Sequence, residues 1–331
     1  MKIALFGSNS LQFSKVYTPA VLSELSKYGI LSERISKKNI NKQKDFLQDC
    51  EIAFATWGMT RLSKEEIKEY LPSLKVLFYS AGTVQYFARP FLESGVRIFS
   101  AFAANAVPVA EYTASQIMLA SKGFFQASKS YRIAPLYSLV HANSSPGNFH
   151  TKVGIIGLGA IGTRVAEKLR DSDIELYAFD PFVSKERAAE LDVKLCTLED
   201  IFSDCDVITN HLANKKELRN FFRCRHFNSM KKHSVFINTG RGAQVSELSL
   251  ALSLLLHPSH TFVGDVIKAE YFPYISPLFW CRNAIITPHI AGSTGNEPQR
   301  MAYLMIEELK SFLEGKEASY EIKLSDLEKM A

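Results

Sequence analysis

The sequence predicts an α/β protein of two domains, each a doubly wound parallel sheet, with a cleft between them. Three observations predict it. Short apolar runs alternate with helix-length amphipathic stretches along most of the chain, the pattern of strands joined by crossover helices. The 331 residues suit two domains of ordinary size. The apolar run at 152–156 breaks into Gly157, Gly159 and Gly162, a turn that in this class leads a strand into a helix.

In the first hundred residues strands are expected at 2–6, 51–56, 75–80 and 96–99, with helices near 17–28 and 63–71. The stretch from Ala106 reads as a long helix reaching the mid-120s, with Pro108 in its first turn, where the missing N–H would have no partner anyway. Its apolar positions are broadly spread, which predicts packing on both sides, against its own domain and a partner chain. Residues 132–151 are polar and contain prolines, so they read as a connection. Strands then recur near 152–156, 175–179, 206–210, 234–238, 261–265 and 284–287, and a final amphipathic helix runs from about 295 to 314. The last forty residues show no further strand pattern and are expected to cross back. The domains expected are therefore 1–103 with 290–331, discontinuous in sequence, and 104–289.

The apolar fraction of 47% and charged fraction of 22% fit a soluble globular enzyme. The net charge is +5, from 39 basic and 34 acidic residues. Basic residues are spread out apart from short pairs such as Lys37-Lys38 and Lys231-Lys232, which reads as a solvated surface and not a nucleic-acid site. The N-terminal Met-Lys-Ile-Ala-Leu-Phe-Gly reads as a strand, not a secretory signal, and no stretch approaches a membrane span. Five cysteines without Cys-x-x-Cys spacing read as reduced residues of a cytoplasmic protein. The eight histidines show no metal-ligand spacing, so no metal is expected.

The most informative stretch is Lys152-Val-Gly-Ile-Ile-Gly-Leu-Gly-Ala-Ile-Gly. In a Rossmann-like unit Gly157 permits the tight turn, Gly159 lets the backbone approach a pyrophosphate, and Gly162 lets helix and strand pack closely. The pyrophosphate then sits on the N–H groups at the start of the helix. Asp180 ends the next apolar run, where its carboxylate can accept from both ribose hydroxyls of NAD. The same charge repels a 2′-phosphate, and Pro181 and Phe182 follow instead of an Arg or Ser to receive one, so NAD(H) is expected over NADP(H).

Three residues downstream carry chemistry, each at the predicted C-terminal end of a strand, where α/β sheets collect ligands. Arg241 lies in Phe236-Ile-Asn-Thr-Gly-Arg-Gly, Glu270 five residues after Asp265, and His289 in Thr287-Pro-His-Ile-Ala-Gly-Ser-Thr. On these segments and the glycine motif, residues 75–312 resemble the D-isomer-specific 2-hydroxyacid dehydrogenases, the family of phosphoglycerate, glycerate and D-lactate dehydrogenases. The resemblance implies hydride exchange between NAD and a small 2-oxo or 2-hydroxy acid. His289 would be the general acid and base, since imidazole exchanges protons around neutrality. Glu270 would fix its tautomer, and the Arg241 guanidinium would hold carboxylate and carbonyl.

The same resemblance implies that Ala160, Ile161 and Thr239 line the cofactor and that Asp265 sits near the nicotinamide carboxamide. It also implies that backbone N–H groups around Gly82 and Thr83 bind the substrate carboxylate, and that the long helix near 109–127 forms a homodimer. Departures fall on the pocket walls: Val84 and Gln85 where an acid is usual, Ala213-Asn214-Lys215 for Pro-Leu-Thr, and Tyr271 for a proline. They leave the particular 2-hydroxy acid open. The competing expectation is a corepressor-like regulator that binds NAD(H) on the same fold without turnover. A methyl-donor nucleotide enzyme would leave Arg241, Glu270 and His289 without a task.

Overall fold

A computed structural model describes residues 1–317 and 319–328, and their strands form two sheets. In chain order these are β1 (Lys2–Phe6), β2 (Ile30–Ile35), β3 (Cys50–Ala55), β4 (Val76–Tyr79) and β5 (Arg97–Ser100), then β6 (Lys152–Ile156), β7 (Glu175–Phe179) and β8 (Val193–Leu195). There follow β9 (Val207–Asn210), β10 (Val235–Asn238), β11 (Thr261–Gly264), β12 (Ala284–Ile286) and β13 (Glu321–Ile322). The chain divides into two units, residues 1–105 with 293 onward, and residues 106–292. Of the tail expected in the first unit, Ala318 and residues 329–331 lie outside the described residues.

The first unit has strand order β13-β5-β4-β3-β1-β2. Its five long strands are parallel in the doubly wound order 2-1-3-4-5, and β13 adds antiparallel to β5. On one face Phe54, Phe78 and Phe99 stack across neighbouring strands at 5.0 Å. Against them packs the Pro298–Leu313 helix, through fully buried Met301, Met305 and Leu309, four residues apart and so on one side of the helix. The Lys64–Tyr70 helix starts at a capping box, with Ser63 accepting from the Glu66 N–H and Glu66 accepting from the Ser63 N–H.

Two strands of this unit were not expected. β2 is an edge strand whose central Ser32, Glu33 and Arg34 dilute its apolar pattern, and β13 is two residues long. The helix expected near 17–28 is Pro19–Ser26, capped by Thr18 in front of Pro19, and a further helix that was not expected, Ser10–Val16, precedes it.

The second unit has order β12-β11-β10-β9-β6-β7-β8, all parallel. Strand order reverses between β6 and β9, which opens the crevice where such sheets bind ligands. β8, a three-residue edge strand, was not expected. The long helix runs from Phe102 to Ser121, so it begins before Pro108 and carries the proline inside. The ring removes only the bond to Ala104, next to the boundary between the units. Part of the expected connection at 132–151 is a helix, Pro135–Asn143, started by proline at its first position.

Among the described residues no helix is long and apolar enough to cross a membrane.

Candidate active site

The glycine turn follows β6 at the reversal of strand order. Gly157 has φ +93°, a left-handed conformation that a side chain resists, and an added Cβ would lie 3.1 Å from the His211 carbonyl. At Gly162 a Cβ would come within 2.0 Å of the Gly157 oxygen, so helix and turn touch there only because the side chain is missing. Gly159 differs: among the described residues, its chain neighbours aside, no atom lies within 4 Å of its would-be Cβ. It precedes the Ala160–Leu169 helix, whose start has no side-chain cap.

Among the described residues nothing therefore demands glycine at 159 or occupies the first N–H groups of that helix with a side chain. A pyrophosphate would account for both features. Ala160 is exposed and Ile161 half-buried beside it. Asp180, after β7, accepts from Leu158 N–H at 2.8 Å and from the Phe182 and Val183 N–H groups, which aims its carboxylate at the turn.

His211, which follows β9 and touches the same turn, is buried with its Nε2 3.0 Å from Thr209 Oγ1. Its Nδ1 has no partner among the described residues. Burial drives its pKa down to about 3, so the ring is a neutral wall of this crevice.

Arg241 sits in the turn after β10, held by buried amides. Asn210 Nδ2 donates to Asn238 Oδ1 and Gln244 Oε1, Gln244 Oε1 accepts the Arg241 N–H, and Asn238 Nδ2 donates to the Arg241 carbonyl. These three amides were not singled out from sequence; the signal available was polar residues at the buried ends of apolar strands. Burial lowers the Arg241 pKa, and the nearby Glu270 carboxylate pushes it back up. A guanidinium starts so high that it stays charged. Thr239 is buried, its Oγ1 3.1 Å from Thr113 Oγ1 on the long helix.

His289 and Glu270 meet directly: Nδ1 lies 3.0 Å from Oε2. Both are partly exposed, with side-chain accessibilities of 46% and 33%. His289 Nε2 has no hydrogen bond among the described residues. The backbone at His289 is left-handed, φ +56°, and its N–H donates to the carbonyls of Asp265 and Thr287.

Asp265 is buried at the end of β11. Its Oδ1 accepts from Thr287 Oγ1 (2.6 Å) and Ile290 N–H (2.8 Å), its Oδ2 from Ala291 N–H (2.8 Å). Tyr112 Oη, on the long helix, lies 2.9 Å from the same Thr287 hydroxyl. So Asp265, expected beside the cofactor, has both oxygens engaged in fastening the His289 loop.

In the first unit Gly82 follows β4, and its carbonyl accepts from Ser100 Oγ at 2.6 Å. Thr83 is exposed, and Val84 is fully buried in the core. Gln85 donates to the Leu327 carbonyl. The departures at 84 and 85 thus serve packing and the C-terminal turn.

The family described as "D-isomer specific 2-hydroxyacid dehydrogenase, NAD binding domain" matches residues 115–291. A D-3-phosphoglycerate dehydrogenase of Archaeoglobus fulgidus is 26% identical over 247 residues, 71% of this chain and 44% of that protein. A glyoxylate reductase of Aeropyrum pernix is 31% identical over 164 residues, half of this chain and 49% of that protein. The chain thus spans about half the length of these relatives.

A solved structure of a phosphoglycerate oxidoreductase from Rhizobium etli superposes with TM-score 0.82 at 18% identity, covering 98% of both chains. The chain belongs to the D-isomer specific 2-hydroxyacid dehydrogenase family and carries its NAD-binding domain.

Proposed function

We propose that the protein is an NAD(H)-dependent dehydrogenase that interconverts a small 2-oxo acid and its D-2-hydroxy acid. The observation that carries the reading is the 3.0 Å pairing of His289 Nδ1 with Glu270 Oε2 on a loop fixed to the nucleotide-binding sheet. When bound, NAD(H) supplies or receives the hydride exchanged with C2 of the acid.

His289 Nε2 gives a proton to the carbonyl oxygen during reduction and takes it back during oxidation. Glu270 accepts a hydrogen bond from Nδ1–H, which fixes the tautomer and stabilises the imidazolium. Arg241 offers its planar fork to the carboxylate and the carbonyl, neutralising charge as it develops on oxygen. We assign backbone N–H groups around Gly82 and Thr83 to the substrate carboxylate as well. Asp180 favours NAD(H) through its hydrogen-bonding carboxylate and its repulsion of a 2′-phosphate.

Two further assignments belong to this reading. The enzyme is homodimeric through the long helix near 109–127, supported by the exposed Leu119 and Phe124 in that stretch. It works in the cytoplasm, supported by five cysteines that are all free thiols.

The test is NADH absorbance with glyoxylate, hydroxypyruvate, pyruvate and bulkier branched or aromatic 2-oxo acids. Oxidation of NADH with any of them supports the proposal. Tight NADH binding without turnover across the panel favours the corepressor-like reading instead.

A further inference from the structure

The loop that follows β9 carries an excess of positive charge. Residues 212–225 hold five basic side chains, Lys215, Lys216, Arg219, Arg223 and Arg225, against the single acid Glu217. This loop thus supplies four of the chain's five net positive charges.

Its place in the fold gives that excess a task. The loop starts at His211, whose carbonyl would lie 3.1 Å from a Cβ on Gly157 of the glycine turn. Gln244 Nε2 donates to the Leu212 and Ala213 carbonyls at 3.1 and 2.9 Å, and the Asn220 N–H donates to the Ala243 carbonyl at 2.9 Å. Both ends of 212–220 are therefore fastened to the turn that carries Arg241. Lys268, which follows β11 two residues before Glu270, adds a bond from Nζ to Asn220 Oδ1 at 2.6 Å. The basic side chains thus rise from a loop along the carboxyl ends of β9, β10 and β11, the edge on which such a sheet binds its ligand.

Three of these cations are left without a counter-charge. Among the described residues the side chains of Lys215, Lys216 and Arg219 make no hydrogen bond or ion pair, and Lys216 and Arg219 are exposed. Surface lysines elsewhere lie against acids, as Lys44 does against Glu69, Lys64 against Glu93 and Lys75 against Glu51. Like charges gathered without an acid repel one another, and an arriving anion relieves that repulsion. NAD(H) carries its negative charge on the pyrophosphate. Solvated side chains on long flexible stems make poor clamps, but a field needs no contact to act.

We propose that Lys215, Lys216 and Arg219 act at a distance, drawing anionic NAD(H) to this edge and setting its rate of association, not the strength of its grip. The inference goes beyond the proposed reaction. It rests on NAD binding alone and holds whether or not the protein turns the cofactor over.

The experiment is stopped-flow NADH fluorescence on the full chain at ionic strengths from about 0.01 to about 1 M, over which the screening length falls from about 30 to about 3 Å. Wild type is compared with Lys215→Gln/Lys216→Gln/Arg219→Gln and with Lys216→Glu/Arg219→Glu. A control, Lys122→Gln/Lys232→Gln/Arg282→Gln, removes as much charge from the opposite edge of the same sheet. There Lys232 and Arg282 precede β10 and β12, and Ser121, beside Lys122, is bonded to Gly147 ahead of β6.

The expected result is an association rate constant about three- to tenfold lower for the glutamine triple at the lowest ionic strength, lower still for the glutamate pair, and equal to wild type at the highest. Dissociation rates, circular dichroism and the control should match wild type. Wild-type association with wild-type salt dependence in the variants overturns the proposal, as does an equal loss in the control. A loss carried by faster dissociation overturns it too, and makes the three residues direct contacts of the cofactor.

Discussion

Asp265 and His289 divide the work at the scale of single residues. On the proposed reading His289 Nε2 exchanges the proton, and Asp265 holds the backbone that carries it. His289→Ala should lower kcat by about 10²–10⁴ with NADH affinity kept, measured by stopped-flow absorbance and fluorescence titration. Arg241→Lys should fail nearly as badly, because an ammonium keeps the charge and loses the fork. For Asp265→Asn, one amide N–H would face the Ile290 or Ala291 N–H that now donates to a carboxylate oxygen. Leaving such donors unpaired costs about 1–3 kcal/mol locally. The expected outcome is a kcat reduced more than tenfold and an NADH dissociation constant changed far less. A parallel rise in both would put Asp265 on the cofactor itself.

At the scale of elements, the glycine turn allows a sharp separation of fold from binding. Gly159→Ala adds a methyl where, among the described residues and its chain neighbours aside, no atom stands within 4 Å and where φ is −73°, acceptable to any residue. Its melting temperature should stay within about 2 °C of wild type, on the rule that such surface changes cost within about 0.5 kcal/mol. NADH affinity should fall at least about tenfold if pyrophosphate lies there. Gly162→Ala should instead lower the melting temperature, because its methyl would press on the Gly157 oxygen at 2.0 Å.

This turn was legible in the sequence because the strand, the three glycines and the helix follow one another directly in the chain. The Pro135–Asn143 helix was not. It buries Ser138 and His141 and exposes Leu136, Leu139 and Val140, so its pattern runs opposite to that of a helix packed on its own core. The strands β2, β8 and β13 were missed as short or polar edges. The Tyr112–Thr287–Asp265 chain joins residues up to 175 positions apart, and no local pattern announces it.

At the scale of the whole molecule, four buried histidines set the response to acid. Burial lowers the pKa of His141, His211, His226 and His260, that of His211 to about 3 and that of His260 to about 4. In the unfolded chain they take up protons below about pH 6.5, while the native state resists. Unfolding free energy should therefore be unaffected by them above that pH and fall as pH drops from about 6.5 towards 4 and then 3. Each contributes a slope of up to about 1.4 kcal/mol per pH unit. Chemical denaturation at pH 7, 5.5 and 4.5 checks this; a midpoint that does not move would contradict it.

The first unit is also assembled from two distant pieces of sequence, with the Pro298–Leu313 helix covering Phe54, Phe78 and Phe99, and β13 covering the β5 edge through Ile322 and the Arg97–Glu321 pair. During translation, residues 1–105 leave the ribosome well before their cover is made. At ordinary elongation rates that gap lasts on the order of ten to forty seconds, during which the nucleotide-binding unit can already fold. The nascent N-terminal sheet, not the catalytic half, is thus the stretch that most needs a chaperone while synthesis is under way.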